Sequence, residues 1–89
     1  MNVPVDETDP LFPRVQSIIS TVTGKDIGSI SPEKSINDLI ADSIELFRLI
    51  MALEKEFEHR ADYRELMNIE TVADTVAYIR KVTKGNASN

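Results

Sequence analysis

The chain has 89 residues with a hydrophobic fraction of 42%, a net charge of −5 and a pI near 4.7, and it contains no cysteine. These values allow one folded domain near the lower size limit for a core without staples, and they exclude a disordered chain, a disulfide framework and a thiolate metal site. The acidity repels nucleic-acid phosphates and favours basic protein surfaces as partners; the apolar runs are far too short to span a membrane, and the opening MNVPVDETDP lacks the regions of a signal peptide, so a cytoplasmic location is expected.

Residues 1–9 carry acids, a proline and little apolar content, and are expected to form a frayed lead-in. Leu11, Val15, Ile18 and Val22, supported by Phe12 and Ile19, then recur at helical spacing. Pro13 suits a first turn, where its missing N–H is not needed, and Gly24 is a stop signal, so the first helix is expected to run from Leu11 to about Thr23. From Gly24 to Asp42 the periodicity is lost. Ile27, Ile30, Ile36 and Leu39 are spaced too irregularly for one long helix and read as anchors of a long loop, with a short helical turn allowed between Pro32 and Asn37. The functional consequence of that loop is where it ends, at Ser43.

Asp42 is a good N-cap residue, and Glu45 stands where its carboxylate can reach back to the cap's own backbone N–H in a capping box. A second helix is therefore expected from Ser43 to about His59. Leu46, Leu49, Ile50, Leu53 and Phe57 form one apolar stripe along it, enough for a core. Ile44, Phe47 and Met51 form a second stripe on a neighbouring face, which is either buried in a small bundle or left for a partner to cover.

Arg60-Ala61-Asp62-Tyr63 breaks the pattern, and Arg64 to Ile69 is expected to form a short third helix with Leu66 and Ile69 pointing inward. Thr71 and Asp74 make another capping box, followed at helical spacing by Val72, Val76, Ile79 and Val82. The fourth helix is expected over Val72 to Lys81, with residues 83–89 as a mobile tail. The fold class is thus all-α: a small four-helix bundle with a long loop between helices one and two, in a single domain whose core covers about residues 11–82.

A nucleophilic role for Ser43 needs a base within hydrogen-bond reach, and the chain's one histidine is His59. On one helix the two stand roughly 24 Å apart, too far for proton transfer. His59 reads instead as a solvated residue at the negative end of the helix dipole. Glu54, Glu56 and Glu58 diverge around the helix and offer no metal cage, and three glycines in the whole chain leave no phosphate-binding loop. No catalytic or metal site is expected. What remains is a hydroxyl at a helix start, where free N–H groups and the positive dipole end favour a phosphate.

The run Asp38-Leu39-Ile40-Ala41-Asp42-Ser43-Ile44-Glu45, followed by Leu49-Ile50-Met51-Ala52-Leu53-Glu54 and Glu56-Phe57, closely resembles the acyl carrier protein family in its discrete bacterial type. The resemblance extends without a gap from about Ile30 to Ile79, through Ser31-Pro32-Glu33 and from Thr71-Val72-Ala73 to Tyr78-Ile79. In that family the serine of an Asp-Ser-Leu motif is esterified by 4′-phosphopantetheine. The resemblance implies that Ser43, beside Asp42, is the attachment point, and that a separate phosphopantetheinyl transferase loads it. It implies acyl groups held as thioesters on the arm's own thiol, and presented by a monomeric carrier to acyl-transferring, condensing or ligase enzymes of fatty acid, lipid or polyketide-like biosynthesis. Docking is expected on Asp42, Ile44, Glu45, Phe47 and Met51, with Arg48 as a discriminator among partners. An acyl pocket is expected against Ile36, Leu53, Leu66, Ile69 and Val76.

The sequence also departs from the family. Ile40 stands where glycine is common, Ile44 where leucine follows the serine, and Ala61-Asp62 where Ile-Pro is frequent. Arg48 and Lys55 put positive charge into a helix that is typically acidic, which favours a specialised pathway over the housekeeping fatty acid synthase. Leu66 replaces a commonly smaller residue and argues for short or compact cargo. Two alternatives stand beside this reading, namely an aminoacyl carrier and an unmodified helical adaptor that works by contacts alone.

Overall fold

The computed structural model describes residues 9–87, with side chains as far as residue 83. The residues expected to form most of the lead-in, 1–8, and the end of the expected tail, 88–89, lie outside the described residues. Asp9 starts the first helix: its side chain accepts a hydrogen bond from the Leu11 N–H (2.9 Å) and its carbonyl accepts one from Phe12 (3.0 Å). Helix α1 (Phe12–Thr23) carries Pro13 in its first turn and stops at Gly24, whose φ of 74° is the left-handed conformation that glycine adopts at low cost.

The long connection is fastened at both sides. On α1, Gln16 donates to the carbonyls of Ile27 (2.9 Å) and Ile30 (3.0 Å), across a single 3₁₀ turn at Ile27–Ser29. Ile30, Ile36 and Leu39 are buried as anchors, whereas Ile27 is exposed. Its place is held through its carbonyl on Gln16 instead of through its side chain. Helix α2 (Ile36–Leu39) supplies one turn, somewhat later than the Pro32–Asn37 window. Further on, Ile36 N–H donates to Glu70 O (2.8 Å), Val72 N–H to Lys34 O (3.0 Å) and Ala73 N–H to Pro32 O (2.7 Å), which ties the loop to the start of the last helix.

Helix α3 (Ser43–Phe57) ends two residues before the expected His59, because Glu58 turns left-handed at φ 51° and its N–H and that of His59 close back on Glu54. Helix α4 (Tyr63–Leu66) is a single turn capped by Asp62, whose carboxylate accepts from Arg64 N–H at 3.0 Å. Helix α5 (Val72–Ala87) runs past the expected Lys81. No proline or cap interrupts it there, and the Thr83 hydroxyl bonds back to the Ile79 and Arg80 carbonyls inside the helix. So residues 83–87, expected as tail, are helical.

The capping box at α5 is complete. Asp74 N–H donates to the Thr71 hydroxyl (3.1 Å), and the Asp74 carboxylate accepts from the N–H groups of Glu70 (3.0 Å) and Thr71 (3.1 Å). The Glu70 amide first, then the Thr71 groups, hold this carboxyl below its ordinary range against a partial opposing effect of burial. Phe12, Val15 and Ile19 of α1 meet Leu49, Leu53 and Phe57 of α3 and Val72, Val76 and Ile79 of α5, with Ile30, Ile36 and Leu39 closing one end. Arg14 spans the outside of this packing, its guanidinium 4.5 Å from the Phe57 ring centre and 2.9 Å from Glu56. The described residues are all-α, as the apolar spacing implies, and carry no strand.

Candidate functional site

Ser43 is exposed and is the first residue of α3, separated from α2 only by Ile40, Ala41 and Asp42. Asp42 is fully extended (φ −160°, ψ −179°), and its carboxylate accepts from Glu45 N–H at 2.9 Å. The reciprocal half of the box differs from expectation: Glu45 accepts from Ala41 N–H at 3.0 Å and not from Asp42. The extended cap residue brings the preceding amide into the carboxylate's reach. Two bonds therefore fix the backbone on either side of Ser43, while its hydroxyl stands at the positive end of the helix.

Along α3, Ile44, Phe47 and Met51 are 65%, 53% and 59% exposed, so the second apolar stripe faces outward. Arg48 is exposed beside them and Glu45 is partly covered by its capping role. Leu46, placed by its spacing in the core stripe, is 39% exposed. It has the core's angular position, but at this first turn the space beneath it is open. That space is a cavity of about 510 Å³ lined by Ile36, Leu46, Phe47, Leu49, Ile50 and Leu53 on one side and by Tyr63, Leu66, Met67, Ile69 and Thr75 on the other, with Asn37 also on its wall.

Four of the five residues expected around an acyl chain, Ile36, Leu53, Leu66 and Ile69, share this cavity. Val76 does not. It is wholly buried in the core, and Thr75, one position earlier, faces the cavity in its place. Spacing could have located Thr75, since it lies three residues after Val72 and four before Ile79, on the inward side of α5.

The α4 wall is held by polar ties. Ala61 N–H donates to Glu54 (2.7 Å), Asp62 N–H donates to the Tyr78 hydroxyl (2.9 Å), and Lys81 pairs with Glu65. The hydrogen bond from Glu65, and then its charge, raise the Lys81 pKa above the ordinary lysine value. His59 and Tyr78 line a second cavity of about 20 Å³ behind this wall, enough for about one water. Among the described residues no three His, Cys, Asp or Glu side chains gather where a metal ion could sit, and no helix is long and apolar enough to cross a membrane.

A capped helix with an exposed serine at its first position, above an apolar cavity, is the architecture of a small helical carrier. The chain matches the family described as "Phosphopantetheine attachment site" over residues 13–79. It is 43% identical over 74 residues to an acyl carrier protein of Thermotoga maritima, covering 82% of this chain and 91% of that one. It is 38% identical over 74 residues to an acyl carrier protein of Streptococcus thermophilus and 40% identical over 75 to one of Clostridium acetobutylicum, each comparison covering 83% of this chain and 97% of the relative. The chain belongs to the acyl carrier protein family, and its cofactor is 4′-phosphopantetheine. Neither the unmodified adaptor nor the aminoacyl carrier gains support from these relatives.

Proposed function

We propose that Ser43 bears the 4′-phosphopantetheine arm and that the chain is a cytoplasmic carrier, itself without catalytic groups, serving enzymes of fatty acid, lipid or specialised biosynthesis. The observation that carries this reading is the exposed Ser43 hydroxyl at a doubly fastened helix start. A phosphodiester there meets the positive end of α3, and Asp42 and Glu45 already satisfy the backbone around it. When bound, the arm supplies the thiol that holds acyl groups as thioesters. This chain's part is to present the arm, dock its partners and shelter the cargo. Intact mass after incubation with coenzyme A and a phosphopantetheinyl transferase tests it: one addition of the arm's mass is expected, and an unchanged mass would overturn the reading.

The docking surface in this proposal is Asp42, Ile44, Glu45, Phe47 and Met51, an apolar face with two acids at its upper end. Arg48 adds a cation to that face. A charge that suits one partner repels another, so Arg48→Glu is expected to improve turnover with basic enzymes of general fatty acid synthesis and to impair the native partner. Equal turnover of both variants with both kinds of enzyme removes the role of Arg48.

The cavity beneath Leu46 is the proposed shelter for the acyl chain, with Ile36, Leu53, Leu66 and Ile69 as its walls. Each chain methylene buried there stabilises by at most about 0.8 kcal/mol, and a domain of this size has roughly 5–15 kcal/mol in all. Melting temperature should therefore climb with chain length over short chains and level off once the cavity is full, with NMR contacts from the chain to Leu53 and Ile69. A flat melting series without such contacts would leave the cargo in solvent.

A further inference from the structure

We infer that the cavity is built for an acyl chain bearing a hydroxyl group, and that Thr75 is the residue that selects it; this rests on the carrier reading above. Among the described residues Thr75 is the one polar residue that is buried as a whole, 4% exposed, and it stands on a wall whose other buried members, Ile36, Leu49, Ile50 and Leu53, are aliphatic. A plain hydrocarbon gains nothing from it. Valine has nearly the same shape and no hydroxyl to keep satisfied beside an apolar ligand.

The hydrogen bonding of Thr75 decides which oxygen function fits. Its hydroxyl donates to the Thr71 carbonyl within the helix, at 3.2 Å. A hydroxyl has one proton and two acceptor lone pairs, so with the proton given to the backbone Thr75 is left as an acceptor. The complementary group on the cargo is a donor. A chain hydroxyl can give its proton to Thr75 Oγ1 and so enter the cavity without an unpaired polar group, whereas an oxo group in the same place has no proton to give. Thr75 thus acts as a positioning and selecting group toward the cargo, with no part in any bond made or broken.

The test uses the full chain with its arm loaded by acyl groups of one length: unsubstituted, hydroxylated at successive carbons, and oxo-substituted at the same carbons. At one depth the hydroxylated form is expected to melt about 4–8 °C above the oxo form, the shift that one neutral hydrogen bond gives in a domain of this size. Thr75→Val should abolish that difference and raise the melting temperature of the form with the unsubstituted chain, while Thr75→Ser, which keeps the hydroxyl, should retain it. Hydroxylated and oxo forms that melt together at every carbon overturn the inference, and so does the wild-type order persisting in Thr75→Val. Should the valine variant fail to fold, the wild-type comparison of hydroxyl against oxo decides alone. Unsubstituted chains whose length leaves the wild-type melting temperature unchanged would remove the sheltered-cargo reading and this inference together; a length response without hydroxyl preference removes only this inference.

Discussion

Ser43→Ala is expected to lose the prosthetic arm completely while melting within a few degrees of the wild type. The hydroxyl is exposed, and the bonds that hold this helix start belong to Asp42, Glu45 and Ala41. Alanine is also the best helix former, so the substitution changes stability by less than about 1 kcal/mol. The contrast is Asp42→Ala, which leaves the hydroxyl in place but removes the cap, at a cost of about 0.5–2 kcal/mol. Intact mass and thermal melting, run on both variants, separate the attachment point from its support. Ser43→Ala that still gains the arm would move the attachment elsewhere, and Ser43→Ala that melts far below the wild type would make the serine a structural residue.

Where side chains signal the backbone, the sequence is easily read. Gly24 ends α1, Asp42 with Glu45 starts α3, and Thr71 with Asp74 starts α5, each by a short-range hydrogen bond or a conformation that only certain residues adopt cheaply. The same local chemistry puts the Ser43 hydroxyl at a helix start that favours a phosphate, and it is the family resemblance of the surrounding run that makes Ser43 the attachment candidate. Other features have no such signature. The bonds from Ile36 to Glu70, Val72 to Lys34 and Ala73 to Pro32 join backbone to backbone across the fold, and any residue type could make them. Glu58 takes a left-handed conformation that a glycine would have announced. Leu46 has the spacing of a core residue, and only the three-dimensional opening beneath it leaves it exposed. Thr75 is the reverse case, a polar residue whose helical position sets it inward among apolar ones.

Leu39→Ala should cause the largest loss of stability near the site. Leu39 is almost wholly buried in the core, and it is the last residue of α2, just upstream of the three-residue link to Ser43. Removing its side chain leaves a cavity among aliphatic neighbours, a change that costs about 2–5 kcal/mol in such cores. Against a total of roughly 5–15 kcal/mol even the lower figure is more than about a tenth of the stability, and the melting temperature should fall by at least about 8 °C. The effect should reach the site as well, since Ile40 is tied to Ile36 by a bond of 3.1 Å and α2 thereby sets the direction from which the chain arrives at Asp42. At a temperature where the variant is still folded, it should accept the arm more slowly than the wild type, although every residue from Ile40 to Met51 is unchanged. Leu39→Met keeps the volume and should cost less than about 1.5 kcal/mol, with normal loading. Equal melting of Leu39→Ala and the wild type would mean that the loop is held by its backbone bonds to α5 alone, and normal loading at reduced stability would mean that α3, once capped, presents Ser43 without help from α2.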